Sequence, residues 1–493
     1  MHPEPTIELG SPPRVVVAGA SGFVGQALIE ALAPTVSCAG LGRDASAPAR
    51  VRGRLAEWRR CDLFSLRQVE DALVGAEVGV YLVHSMMPAS RLVQGRFQDL
   101  DLICADNFAR AARLRGVKRI IYLGGLLPDV APEQMSAHLR SRLEVETALG
   151  AHEVPLTALR AGLVIGAHGS SFDMMARLVR RLPVMLCPSW TSTLTQPIAL
   201  DDVVSLLVYA ITHPEVPAGS YDVGGPDVLS YRELMALVAE RLGVRRRFLP
   251  VPFFSPGFSR LWVSLVTGAP RALVAPLIQS LRHSMRAHDR RLQERAGVPG
   301  VSVRAAIARA LAPPPGPAPT NDLPKRSGRT RRHEIRRDRQ VRSVQRLPLP
   351  SGQTATGVAE TYLRWLPRFF VSLIHVDVDD VSASPRLCRF RLRGMRRPIL
   401  VLRFSPERSR PDRPLFYVVG GALAFGQPRG RLEFREMSDG REGARFLLAA
   451  LHDFVPRLPW WLYQATQAWV HLWTMKRFAR HLRRLGARAA PDS

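Results

Sequence analysis

Residues 14–34 read RVVVAGASGFVGQALIEALAP. Val15 to Val17 form a short β-branched run, which favours a strand. Gly19, Gly22 and Gly25 follow at three-residue spacing, and Val24, Leu28 and Leu32 then repeat with helical periodicity. A glycine turn between a strand and a helix is the setting in which such a motif carries chemistry. Gly19 permits a tight turn. Gly22 lets the backbone approach a pyrophosphate, and Gly25 lets the helix pack close to the strand. The helix N-terminus then offers free N–H groups to the phosphates, with Ser21 and Phe23 inside the turn as further cofactor contacts. The reading is a dinucleotide-binding turn; a purely structural glycine turn is the competing one.

The pattern continues outward from this stretch. TVSCAGLGR (35–43) reads as a second strand, and CDLFSLRQVEDALVG (61–75) places Asp62 after a strand end and before a helix. VGVYLVHSMM (78–87), VKRIIYLGG (117–125) and PLTALRAGLVIG (155–166) read as strands, and FQDLDLICADNFARAARLRG (97–116) as a long amphipathic helix. Continuous apolar strands alternating with helices predict an α/β fold built on a doubly wound parallel sheet.

These motifs resemble the short-chain dehydrogenase/reductase superfamily in its extended and atypical branches. The glycine spacing is that superfamily's form of the motif. Asp62-Leu63 matches its adenine-contacting acidic position, and LRAGLVIG, TQPIALDDVVSLLVYAI and YDVGGPDVLSYRELMALVAERLG match later segments of the extended branch. The ordered run YLVHSM, YLGGL, HLRSRLEVE, LRAGLVIG, SFDMM and LPVM is similar to a bacterial subgroup of NAD(P)-binding oxidoreductase-like proteins. The resemblance covers residues 12–310. It implies a Rossmann domain with a substrate lobe over the cofactor and an NAD(P)H-dependent oxidoreductase acting on a small-molecule substrate. It also implies a cofactor set of Gly19, Ser21, Gly22, Phe23, Gly25, Arg43, Asp62, Leu63 and His84. Cofactor choice turns on the end of the second strand, where an acid would bind the ribose 2′-OH of NAD and an arginine the 2′-phosphate of NADP. Arg43 followed by Asp44 favours NADP, with NAD the alternative.

MSAHLRSRLEVETAL (135–149) occupies the place where the superfamily keeps a catalytic Tyr and Lys four residues apart; here the spacing holds His138 and Arg142. No lysine lies between Lys118 and Lys325, and the strand that would carry the superfamily's substrate-binding Ser ends in Gly124-Gly125. Tyr122 lies within that strand. His138 and Arg142 share a helix face. An imidazole titrates near neutral pH, at about 6.5, and serves as a general acid without help. A guanidinium holds ribose or phosphate oxygens but does not tune a neighbour as lysine does. His138 and Arg142 are therefore the candidate catalytic pair, against the plainer alternative of cofactor-contacting or surface residues. Ser136 and the pair His84-Ser85 are further polar candidates. The rival function is a catalytically silent dinucleotide-binding sensor or scaffold with a lipid or protein partner.

Residues 251–285 are apolar and broken by Pro and Gly, which fits the substrate lobe or, alternatively, a membrane-contacting hairpin. Residues 311–339 are Pro-rich and then Arg-rich and read as a linker. From 340 to 487 the pattern changes to a smaller α+β domain. VRSVQRLPL is a strand, GVAETYLRWLPRFF a helix, and LIHVDVDDV, RLCRFRLRG, PILVLRFS, LFYVVGGALA and GRLEFREM are strands. PWWLYQATQAWVHLWTMKRFARHLRRL is one long helix whose stripe Leu462, Thr466, Trp469 and Trp473 packs on the sheet; a ligand wall or membrane-lying face is the alternative. The element order resembles the helix-grip (START-like) architecture, which implies an apolar ligand.

With 493 residues the chain suits two domains. The formal charge of +27 comes almost wholly from arginine, since the lysines are Lys118, Lys325 and Lys476. Aromatic residues do not interleave the linker arginines, so no specific nucleic-acid partner is expected. Such a surface would still attract anionic lipid, and peripheral membrane contact stays open. Cys38, Cys61, Cys104, Cys187 and Cys388 are far apart and form no CxxC, which argues against disulfides and a metal site. There is no signal-peptide pattern and no apolar run long enough to span a bilayer, so the expected location is cytoplasmic. Nothing in the sequence fixes an oligomeric state.

Overall fold

The computed structural model describes residues 14–43, 55, 57–83, 92–251, 279–312, 341–371, 373–379, 386–424, 430–438 and 445–489. His84, Ser85 and Asp44 lie outside the described residues, as do most of the stretch 251–285 and nearly all of 311–339. The chain divides into two compact units, Met1–Met87 with Asp101–Ala318, and Pro88–Leu100 with Pro319–Ser493.

The first unit runs β1 (Val15–Ala18), α1 (Phe23–Leu32), β2 (Cys38–Gly42), β3 (Glu57–Arg60), α2 (Leu66–Ala72) and β4 (Val78–Tyr81). The short strand β5 (Leu92–Gln94) belongs to the second unit's sheet. There follow α3 (Phe97–Arg115), β6 (Arg119–Gly125), α4 (Ala137–Gly150), β7 (Leu156–Ala161), α5 (Ser170–Arg181), α6 (Leu200–Thr212), β8 (Gly219–Val223) and α7 (Tyr231–Arg241). Seven strands form one sheet in the order β8-β7-β6-β4-β1-β2-β3. All of its pairings are parallel. A parallel sheet is covered on both faces, so its central strands must be apolar throughout; Val15 to Ala18 are all buried. The expected doubly wound parallel sheet is observed. Helix α1 buries Gly25, Leu28, Ile29 and Leu32, while Val24, expected on the same stripe as Leu28 and Leu32, is half-buried. The strand order reverses at β1, which pairs with β2 on one side and β4 on the other. A crevice opens beyond the strand ends at such a reversal.

The five cysteines are all free and buried. Burial pushes the thiols of Cys38 and Cys61 up to about 12, with Asp62 and Asp71 adding to the effect at Cys61.

The second unit comprises β9 (Val341–Pro348), α8 (Ala355–Phe369), β10 (Ile374–Val378), β11 (Leu387–Leu392), β12 (Leu400–Phe404), β13 (Leu415–Gly420), β14 (Arg431–Ser438), β15 (Arg445–Phe454), α9 (Trp460–Ala465) and α10 (Gln467–Ala489). Its sheet has the order β10-β11-β12-β13-β14-β15-β9-β5, with β9 to β5 parallel and the other pairs antiparallel. The sheet forms a half-barrel against α8, which buries Val358, Ala359, Tyr362, Leu363 and Leu366 in one core with Phe390, Phe416, Phe434 and Phe478.

The C-terminal segment differs from the sequence reading in two ways. The C-terminal segment is two helices, because Thr466 leaves helical geometry at φ −127° and ψ −79°. The side of α10 that meets the core is Ala468, Met475, Phe478, Ala479 and Leu482, while Trp469 and Trp473 are 69% and 45% exposed. The tryptophan stripe therefore does not pack on the sheet.

On β14, Leu432 and Phe434 enter the core and Glu433 and Arg435 point to the opposite face, as strand alternation requires. Glu433 is nevertheless buried, and it accepts from Arg413 Nε (2.8 Å) and Arg435 Nη2 (2.6 Å) and pairs with His452 Nε2 (2.8 Å). Burial alone would raise its pKa; Arg435, Arg413 and His452 outweigh burial and hold the carboxylate well below its ordinary value. Removing this carboxylate takes a shared charged acceptor from two buried guanidinium groups, so Glu433→Gln should lower unfolding free energy by about 3–5 kcal/mol in urea titration. Because the folded pKa is depressed, the contribution is fully present above the ordinary glutamate range and is lost as pH falls through the folded value. The gap between parent and variant should thus close in acid; a variant as stable as the parent at neutral pH would show the cluster to be dispensable.

Candidate functional site

The turn after β1 is built by contacts that only glycine permits. Gly19 has φ +92°, a region side chains rarely adopt. A Cβ on Gly25 would lie 2.2 Å from the Gly19 carbonyl oxygen, so helix and turn touch backbone to backbone. Gly22 donates its N–H to that same oxygen at 2.9 Å and then serves as the N-cap of α1, where no side chain caps the helix. The first N–H groups of α1 therefore have no side-chain acceptor of their own and are available to an anion.

A cleft of about 690 Å³ opens on this turn. Gly19, Ser21, Gly22, Phe23 and Gly25 line it, together with Leu82 and Val83 after β4, Gly124 and Gly125 at the end of β6, and Gly162 to Val164 beyond β7. These positions are the strand ends at the sheet's order reversal. The far wall is largely apolar: Met174 and Met175 of α5, Trp190, Tyr231, Met235 and Met285. Trp190 and Tyr231 meet edge to face at 6.1 Å.

His138 and Arg142 both line the cleft from α4. The helix is started by Ser136, whose Oγ accepts from Leu139 N (3.3 Å) and shares a hydrogen bond with Ser280 Oγ (2.8 Å). Ser280 itself lines the cleft. One turn beyond Arg142 stands Glu146, taken bidentately by Arg160 at 2.6 and 2.9 Å and also accepting from Ser220. Arg142 has no carboxylate at ion-pair distance among the described residues. Tyr122 is fully buried and lies outside the cleft lining. Burial raises its phenol pKa, and the nearby Arg142 charge opposes that shift. Thr195 Oγ1, buried and on the cleft wall, has no hydrogen-bond partner among the described residues.

The other sequence candidates are elsewhere. Arg43 is exposed, one residue past β2, and is not part of the cleft lining. Asp62 forms a turn, its Oδ1 accepting from Phe64 N at 3.3 Å, and the Leu63 carbonyl accepts from Asn107 Nδ2 at 2.8 Å. Neither lines the cleft. Sequence reasoning did not find Trp190, Thr195, Tyr231, Ser280 or Met285. They come from separate segments, and Thr195 and Tyr231 lie in stretches quoted for the resemblance without being singled out as site residues.

Residues 15–224 match the model of the NAD dependent epimerase/dehydratase family. The auxiliary protein GraX of Staphylococcus aureus is 30% identical over 115 residues, 23% of this chain and 36% of that protein. A mitochondrial NADH dehydrogenase [ubiquinone] 1 alpha subcomplex subunit 9 of Arabidopsis thaliana is 25% identical over 160 residues, 32% of this chain and 39% of that one. The matched segments thus span well under half the length of these relatives. Among solved structures, an NADPH-dependent quinone oxidoreductase of Escherichia coli complexed with NADPH has a TM-score of 0.49 at 18% identity, covering 60% of this chain and 100% of its own. A Citrobacter triphenylmethane reductase complexed with NADP(H) gives the same values. The glycine turn and the parallel sheet lie within the stretch, residues 15–224, that is similar to the NAD dependent epimerase/dehydratase family.

Proposed function

We propose that the first unit is an NAD(P)H-dependent reductase of an apolar carbonyl, enone or quinone. The observation that carries this is Arg142, a cation in the cleft without a carboxylate at ion-pair distance among the described residues, one turn from His138. It fits an anionic, phosphate- and ribose-bearing ligand, as does the uncapped N-terminus of α1. The pyrophosphate would rest on the backbone of Gly19–Gly25 and the nicotinamide ribose near Arg142. Arg43 would meet a 2′-phosphate, and Asp62, Leu63 and His84 the adenosine end. When bound, the nicotinamide supplies a hydride to an electrophilic carbon. His138 would give a proton to the substrate oxygen, which becomes a hydroxyl that stays on the product. Thr195 Oγ1 on the cleft wall would orient that oxygen, and the methionine and aromatic wall excludes water and adapts to an apolar substrate.

The reading extends to organisation. Residues 12–310 would form the dinucleotide domain with its substrate lobe, 311–339 a linker, and 340–487 a helix-grip domain for an apolar ligand. Support for the last comes from its order of strand, helix, antiparallel meander and C-terminal helix, with β9 closing on β15. Unbridged buried cysteines are in keeping with a cytoplasmic setting. The absence of lysine between Lys118 and Lys325 favours a second reading, a silent dinucleotide-binding sensor or scaffold. In that case cofactor would bind and no carbonyl, enone or quinone would oxidise it.

Two glycine variants separate fold from site. Gly22 has φ −79° and room for a side chain, apart from a 3.1 Å approach to Gly19 O. Gly22→Val should keep the fold and weaken NADPH at least roughly tenfold in calorimetry, because its side chain occupies the phosphate's place. Gly25→Ala should instead unfold more readily, since its Cβ collides with the turn.

His138→Ala should cost roughly 10²–10⁴ in turnover with cofactor affinity nearly unchanged. Arg142→Ala should lose cofactor affinity first, by about 1.5–3 kcal/mol. Full turnover in His138→Ala would remove the histidine from the chemistry.

Arg43→Ala tests selectivity: binding of NADPH should weaken by about 1.5–3 kcal/mol more than binding of NADH. Equal losses would leave the 2′-phosphate to another residue.

A further inference from the structure

The second unit carries an aromatic surface that its core does not use. Trp469 and Trp473 project from α10, one turn apart, on the side away from the buried Met475, Phe478 and Leu482. Trp473 stands against Phe369 and Phe370 at the end of α8, with ring centroids at 4.8 and 6.1 Å. The chain then turns through Val371 and Leu373, which are 86% and 53% exposed. Val371 has φ +49°, a conformation that β-branched residues rarely adopt. The turn is fixed by Val371 N to Arg368 O (3.2 Å) and Leu373 N to Phe370 O (2.8 Å). A strained turn thus holds an aliphatic side chain out in water, where it returns nothing to the fold. The Leu373 carbonyl accepts from Arg393 N at 2.8 Å, which brings the β11–β12 loop alongside. That loop adds Met395, 45% exposed, among Arg393, Arg396 and Arg397.

Among the described residues, Arg393, Arg396, Arg397 and Arg477 are not paired with a carboxylate. Between Phe454 and Pro491 the sequence has Lys476 and six arginines and no Asp or Glu. There is likewise no acid from Thr361 to Val376 or from Arg386 to Pro406. The Arg477 guanidinium lies 5.7 Å from the centre of the Trp473 ring. Exposed indoles and aliphatic tips framed by arginines are complementary to one kind of surface, an apolar layer under anionic head groups. Single-stranded nucleic acid would use the indoles and the arginines but has nothing to stack on Val371, Leu373 or Met395.

We propose that this surface seats the second unit on an anionic phospholipid bilayer. Trp469, Trp473, Val371, Leu373 and Met395 enter the boundary between head groups and acyl chains, and Arg393, Arg396, Arg397 and Arg477 meet the lipid phosphates.

The test is co-sedimentation of the full chain with vesicles of phosphatidylcholine alone and of phosphatidylcholine containing phosphatidylglycerol. The parent should partition onto the anionic vesicles and be released by salt. Trp469→Ser with Trp473→Ser, and separately Arg396→Gln with Arg397→Gln, should each lower partitioning roughly tenfold. Val371→Gly guards against misfolding: it relieves the positive φ, so the unit should be at least as stable by thermal unfolding while its partitioning falls. The proposal is overturned if the parent ignores anionic vesicles or if all variants partition like the parent. It is also overturned if oligonucleotide binds the patch and the vesicles do not.

Discussion

Gly25 touches the Gly19 carbonyl more closely than any side chain allows, and the first unit is organised around that contact. It brings α1 down onto the turn after β1, aims the helix N-terminus across the strand ends and leaves the crevice open at the point where the strand order reverses. α4 reaches the same crevice from another side, tied through Ser136 to Ser280, so that His138 and Arg142 face the glycine turn. Glu146 is taken by Arg160 and Ser220, whereas the guanidinium one turn earlier has no carboxylate at ion-pair distance among the described residues.

The second unit solves a different problem. Its half-barrel has one face filled by α8 and α10 and another on which Glu433 gathers Arg413, Arg435 and His452 in a buried cluster. Buried ionic groups of this kind contribute little net stability but make alternative registers of β14 costly, because a one-residue slip would drive Glu433 and Arg435 into the aromatic core.

The parallel sheet, the glycine turn and the helix bearing His138 and Arg142 were legible because their signals are local: β-branched runs, three spaced glycines, a four-residue repeat. The strand Arg445–Phe454 escaped notice because RFLLAALHDF is almost continuously apolar, a pattern that helix and strand share. Leu92–Gln94 is too short to carry any period. For α10, periodicity grouped the tryptophans correctly on one stripe but could not say which stripe faces the sheet, and Thr466 carries no breaker signal of the Gly or Pro type. The cleft wall was illegible for a topological reason, since Trp190, Thr195, Tyr231 and Met285 meet only when four separate connections close over the sheet edge.

The five buried thiols have a consequence for how the molecule reports on itself. Cys38 lies within the central sheet and Cys61 just past its edge strand, and burial keeps both protonated at neutral pH. An alkylating or oxidising reagent requires an accessible thiolate. Its rate of reaction at these positions therefore counts the moments when the sheet edge opens, and the cysteines act as built-in clocks of local unfolding.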